Sequence, residues 1–125
     1  MVTEEFNTTT NILEATYTGN VSLTDVVNYI IATKNNKNYP RVLKIISDTK
    51  NAIFNFSIED LNIIMEENNK SLENYEGIID AIIVDNPKNT VLTVLYKELA
   101  KSKKYKFEIF ATKSAAITWL NNQTV

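Results

Sequence analysis

Gly77-Ile-Ile-Asp-Ala-Ile-Ile-Val-Asp85 is followed at once by Asn86-Pro87. A short run this rich in β-branched residues, bounded by Gly and Pro, reads as a strand covered on both faces. Pro87 then falls at the first position of a helix, where its missing N–H does no harm. A strand that feeds directly into a helix is the building unit of a parallel sheet.

Upstream, Val42-Leu-Lys-Ile-Ile46 repeats the pattern and ends at Ser47-Asp48. Residues 49–56 read as a loop. Ser57 reads as the cap of the next helix, with Glu59 and Asp60 in its first turn, where the helix dipole favours acids. Ile58, Leu61, Ile64, Met65 and Leu72 would form its inner face. Further upstream, Ser22 opens another helix, and Asp25 three residues later completes an imperfect capping box. Leu23, Val26, Val27, Ile30 and Ile31 give that helix one apolar stripe. The Asn/Lys-rich stretch 34–38 ends it, and Pro40 bars its continuation. Residues 2–8 and 11–18 are short and rich in Thr and apolar residues. They read as two strands joined by a turn at Thr9-Thr10, the second ending at Gly19-Asn20.

Downstream of Pro87, Val91, Val94, Leu95 and Leu99 keep helical spacing and predict an inner face. Tyr96 flanks that stripe, and Lys97 and Glu98 point away from it. Residues 106–110 alternate as a strand. Thr112 caps a last helix with Ala115, Ala116, Trp119 and Leu120 inward. The order β-β-α-β-α-β-α-β-α predicts an α/β fold over residues 1–125 as a single domain. It would have a mixed, mostly parallel sheet of about five strands, about four helices, and an antiparallel hairpin as its entrance.

Composition narrows the chemistry. The chain holds no Cys and no His. Disulfides, thiolate zinc sites, thiol nucleophiles and imidazole bases are therefore absent, and Ser-His-Asp and Cys-His catalysis are excluded. Thirteen basic residues stand against 15 acidic ones, a net charge of −2, so no field draws the chain toward nucleic acid. Met1–Phe6 is polar and acidic and does not read as a signal peptide. No apolar run approaches the roughly 20 residues of a membrane span. The expectation is a cytoplasmic protein with no cofactor and no metal.

The phrases that occupy these elements resemble the STAS-like domains, the fold of bacterial anti-sigma factor antagonists. The closer likeness is to their divergent STAS/Sec14-like branch. The likeness rests on Tyr17-Thr-Gly-Asn-Val-Ser-Leu-Thr-Asp25, Val42-Leu-Lys-Ile-Ile-Ser-Asp48, Phe56-Ser-Ile-Glu-Asp60, Ala81-Ile-Ile-Val-Asp85, and the stretch 107–120. It covers nearly the whole chain as a pattern of elements. What the resemblance implies is a non-enzymatic regulatory or protein-interaction module. Kinase-switched antagonists carry an Asp-Ser-Ser-Gly-like turn where the second helix begins. Here that turn reads Asn55-Phe-Ser-Ile-Glu59, and Ser57 alone could stand in as phospho-acceptor.

Candidate sites follow. Ser57, with Phe56, Glu59 and Asp60, is the expected phospho-acceptor or partner-docking turn, although Glu59 and Asp60 would repel a phosphate. Asp48 and Asp85 each end a buried strand, where ligands of open α/β sheets bind. With Phe54 and Tyr96 they make up a candidate pocket for a small apolar or anionic ligand, the alternative reading. Two carboxylates are too few oxygens for a metal site. Lys97, Lys101, Lys103, Lys104 and Lys106 cluster around Tyr105, and the favoured reading of that cluster is a solvated helix end. The opening hairpin could leave a free edge strand that pairs with a second copy to make a homodimer.

Overall fold

The computed structural model describes residues 1–123. Five strands form one sheet in the order β1-β2-β3-β4-β5. These are β1 (Val2–Asn7), β2 (Ile12–Ser22), β3 (Val42–Asn55), β4 (Gly77–Ile83) and β5 (Tyr105–Phe110). The β1–β2 pair is antiparallel and the other three pairings are parallel. Helices α1 (Leu23–Asn35), α2 (Leu61–Leu72) and α3 (Pro87–Leu99) fill the three parallel crossovers, and α4 (Lys113–Asn121) follows the last strand. The predicted element order and the mostly parallel sheet are both present.

Two cores separate the helices. Leu13, Ile45, Ile78 and Ile82 of the sheet pack with Val26, Ile30, Leu61, Ile64, Leu92 and Tyr96 of α1, α2 and α3. On the opposite face, Ile12, Ile46, Ile79, Ala81 and Ile83 pack with Ala116 and Leu120 of α4. Strand β4 is therefore buried on both faces, as its continuous apolar run requires.

Local chemistry sets several boundaries. The β1–β2 turn closes on Asn7, whose Oδ1 accepts the Thr9 and Thr10 N–H groups. Asn11 leaves that turn at φ +59°, a region Asn tolerates better than most residues. The α1 capping box is complete: Ser22 Oγ accepts the Asp25 N–H, and Asp25 Oδ2 accepts the Ser22 N–H.

Several expectations are corrected. Strand β2 does not end at Gly19-Asn20 but runs on to Ser22, with Gly19 at φ +65° inside it. Residues 49–55 are not a loop but the second half of β3. Between Thr16 and Thr18 of β2, β3 advances from Asp48 to Asn51, one residue too many. This bulge breaks the alternation that marks a strand. It also returns Ala52 and Phe54 to the face that holds Ile45.

Ser57 does not cap α2. The helix begins at Leu61, after a tight turn in which the Asp60 N–H donates to Ser57 O and the Leu61 N–H to Ile58 O. Ile58, expected inside, is 56% exposed.

Helix α3 presents a different face from the one predicted. Val91, Val94, Leu95 and Leu99 are exposed, while Asn89, Leu92, Thr93 and Tyr96 are buried. The reason is Asn89. Beyond Asp48, β3 has outrun β4, so one side of its backbone lacks a strand partner there. Asn89 supplies it: Nδ2 donates to the Ala52 carbonyl at 2.9 Å, and Oδ1 accepts the Phe54 N–H at 3.0 Å. Buried backbone groups demand partners, and this demand outweighs burial of the Val/Leu stripe. In α4, Ala115 is likewise exposed, and Trp119 is only half-buried, at the edge of the core against Phe110.

Candidate functional site

Asp80 interrupts the apolar run of β4. Its cross-strand neighbours are Ile45 on β3 and Phe107 on β5, so its carboxyl lies among carbon on the face covered by α1, α2 and α3. There it lines a cavity of about 90 Å³. Tyr17, Ser47 and Tyr105 join it from the sheet. Tyr29 and Thr33 of α1, Asn68 and Ser71 of α2, and Thr93 and Tyr96 of α3 close it from above. A cavity of roughly 10–15 Å³ already admits a water, and a dry one of about 150 Å³ takes up benzene. This volume lies between those limits.

Two aromatic groups contribute to the lining. In one, Tyr17 meets Tyr29 and Phe54 edge to face, at 6.1 and 6.2 Å between ring centroids. In the other, Tyr96 stands nearly perpendicular to Tyr105 and Phe107, at 6.4 and 5.5 Å. Tyr105 and Phe107 stack on each other at 5.6 Å, and Tyr96 stands across both.

Burial pushes the Asp80 carboxyl up to about 7, against hydrogen bonds from Ser47 and Tyr105 that favour its anion. Ser47 Oγ donates to Asp80 Oδ1 at 2.9 Å. Burial also raises Tyr17, Tyr29, Tyr96 and Tyr105, and the Asp80 charge adds to this in each case. All four phenols remain protonated donors. Thr33 and Thr93 hydroxyls bond carbonyls of their own helices. Asn68 Nδ2 and Tyr29 Oη, both buried, have no hydrogen bond within the described structure. Buried donors of this kind cost free energy unless matched. Chemically, the arrangement can hold a cation against Asp80 or exchange a proton with a bound group near neutral pH.

The residues singled out from the sequence are distributed differently. Phe54 and Tyr96 line the cavity. Asp48 aligns with Ile83 and lies on the α4 side of the sheet, its Oδ1 accepting the Lys50 N–H. Asp85 is exposed beyond the end of β4. These four residues therefore do not meet in one pocket. Phe56 is half-buried and shared between the cavity and a shallow groove formed with Ser57, Ile58, Pro87, Lys88, Val91 and Leu92. Ser57 and Glu59 are exposed, and Asp60 accepts the Ser57 N–H at 3.0 Å.

The lysine cluster is partly committed. Lys97 pairs with Glu108 at 2.9 Å and Lys101 with Glu98 at 3.0 Å, and Lys104 donates to the Leu72 carbonyl. Among the described residues, no group of three or more acidic, His or Cys side chains gathers to hold a metal, and no helix is long and apolar enough to cross a membrane. Sequence reasoning missed Asp80. Its signal was available: one ionisable residue inside a run otherwise bound for both faces of a buried strand.

The class that this sheet and its helices define is the SpoIIAA-like, STAS-like α/β fold. An uncharacterised Shewanella loihica protein of the DUF3478 family, whose crystal structure has a SpoIIAA-like fold, superposes with a TM-score of 0.62. The match covers 96% of this chain and 92% of that one, at 14% sequence identity. Identity this low establishes the fold alone. No protein-family model and no curated protein matches the chain.

Proposed function

We propose that this STAS-like domain binds a small ligand in the aromatic cavity above Asp80, without catalysing a reaction. The observation that carries the reading is a carboxyl set into an apolar cavity of about 90 Å³. Buried carboxyl groups are costly and persist where something compensates them. Asn68, 8% exposed with its amide unmatched, adds a second group that a ligand would satisfy. The test is an NMR screen of small organic fragments against ¹⁵N-labelled protein. Binding should shift the amides of Asp80, Tyr96 and Asn68 together. A screen in which no fragment perturbs that set would overturn the reading.

A protein-interaction role is the second reading, and a separate observation supports it. Val91, Val94, Leu95 and Leu99 expose 36–56% of their surface on α3, and Ile58 and Ile63 are similarly exposed. Apolar side chains gathered this way fit a docking face for a protein partner near the Phe56–Asp60 turn. Phosphorylation of Ser57 would add charge beside that face, and mass spectrometry of the protein from its own host would reveal it. Strand β1 forms one edge of the sheet, the edge through which a homodimer would pair. A monomeric mass by light scattering at high concentration would exclude that assembly.

A further inference from the structure

We infer that the cavity selects a small organic ammonium cation, held among the aromatic rings of its lining and paired with Asp80. The inference rests on the ligand-binding reading above and names the chemical class of the ligand.

The first argument is charge. Among the described residues, Asp80 is the only charged one in the cavity wall, and no Lys or Arg lines it. Arg41, the one guanidinium in the chain, lies over the Tyr75 ring and donates to the carbonyls of Tyr39, Asn36 and Asn74. Asp80 is half-buried; once ionised it lacks a countercharge among the described lining residues, and a charge taken largely out of water calls for a partner. A ligand that carries the positive charge supplies it. An anionic ligand would face Asp80 with the same sign and is disfavoured.

The second argument is the wall. Tyr17, Tyr29, Phe54, Tyr96, Tyr105 and Phe107 surround the space. Aromatic faces attract a cation, and several of them around one space form the cage that recognises alkylated ammonium groups. The raised tyrosines keep their protons, so they add no competing negative charge. An inorganic cation fits poorly. It wants six or more oxygen ligands, whereas this wall is mostly carbon.

The third argument is size. If about 150 Å³ holds benzene, then 90 Å³ holds about four heavy atoms by proportion. Trimethylammonium has that size. Its single N–H can donate to Asp80 while its methyl groups meet the rings.

Protonation of Asp80 competes with the cation, so binding depends on pH. The titratable groups that face Asp80 are Tyr17 from β2, Tyr29 from α1, Tyr96 from α3 and Tyr105 from β5. All four stay neutral through the working range. Helix α2 contributes only Asn68 and Ser71 among polar groups. With Asp80 titrating near 7, affinity for the cation at pH 6 should be about tenfold weaker than at pH 8.

The experiment is an NMR titration of the full chain with trimethylammonium chloride, using 2-propanol as a neutral probe with the same number of heavy atoms. The expected result has three parts. The cation shifts Tyr96, Asn68 and Asp80 resonances, its affinity falls about tenfold from pH 8 to pH 6, and 2-propanol binds at least tenfold more weakly. Asp80→Asn should abolish the preference for the cation. If that variant does not fold, the pH dependence of the wild-type chain carries the test. Equal binding of both probes, or cation binding independent of pH, overturns the ammonium assignment but leaves the ligand cavity standing. Failure of both probes to perturb the site overturns the ammonium assignment, and the fragment screen alone decides whether the cavity binds a ligand at all.

Discussion

Asp80→Asn keeps the shape of the side chain and removes its charge, which isolates what that charge does to the fold. The folded carboxyl titrates near 7, whereas a carboxyl in the unfolded chain titrates near 3.9. Below about pH 4 both states hold the proton, and the charge has no effect on stability. Between about pH 4 and pH 7 the unfolded chain releases its proton while the folded chain keeps it. The folded state binds more protons, so stability falls as pH rises, and it levels off above about pH 7. A difference of about three pKa units corresponds to about 4 kcal/mol. Roughly 3 kcal/mol of that loss falls between pH 4.5 and pH 8. A domain of this kind has only about 5–15 kcal/mol in total, so the effect is large enough to measure.

The assay is urea unfolding of the wild-type chain and the Asp80→Asn variant at half-unit steps from pH 4.5 to 8, followed by circular dichroism and by Trp119 fluorescence. The quantity to plot is the difference between the two proteins. Asp25 and Glu108, whose pKa values are lowered by hydrogen bonds from the Ser22 backbone and from Lys97, pull stability the other way with pH. They are common to both proteins and cancel. The variant should gain on the wild type by about 3 kcal/mol across the range. A difference that stays constant within about 0.5 kcal/mol would show that Asp80 is ionised or solvated in the folded state as it is in the unfolded one. The desolvation argument would then fail.

Other substitutions probe the frame around the site. Asn89→Ala should cost about 3 kcal/mol in urea unfolding, because it strands the Ala52 carbonyl and the Phe54 N–H; a loss under 1 kcal/mol would mean water replaces the amide. Tyr29→Phe removes a hydroxyl that has no partner, so stability should hold within about 1 kcal/mol or rise, as thermal unfolding would report. Glu108→Gln breaks the ion pair with Lys97, but both side chains are more than a third exposed. It should cost less than about 1 kcal/mol and lose even that in high salt.

The fold was legible because its decisive strands are short apolar runs bounded by turn residues, and because caps such as Ser22 with Asp25 act within one turn of chain. What was illegible depends on contacts distant in sequence. The bulge at Asp48–Asn51 can be recognised only against β2. The inward face of α3 is set by Asn89 meeting β3 across 35 and 37 positions of chain, and no hydropathy pattern within α3 records that. Its Val/Leu stripe and its Asn89–Tyr96 face have the same helical spacing. Burial then goes to the face whose polar atoms find partners. The candidate site was half legible for the same reason. Phe54 and Tyr96 could be named as aromatic residues, one after a strand and one beside a helix stripe, whereas Asp80 gains its meaning from Ile45, Phe107 and Ser47 on neighbouring strands.

These two surprises are connected. Turning Asn89 inward brings Leu92, Thr93 and Tyr96 over the sheet as part of the cavity wall, and it leaves Val91 and Val94 outside. Phe56 and Leu92 border both the cavity and the groove that contains Ser57, Ile58 and Val91. The cavity that holds Asp80 is thus bounded in part by two of the side chains that shape the outer surface. Close-packed interiors transmit small displacements, and Phe56 and Leu92 are the side chains through which one would pass between cavity and groove. The ligand reading and the partner reading are compatible, and if both hold, the prediction is that occupancy above Asp80 alters binding of a partner at Phe56 and Leu92. The coupling requires reciprocity. A partner captured at that face should tighten or weaken trimethylammonium binding by the same factor as the cation alters partner binding, and a factor of one in both directions would make the two sites independent.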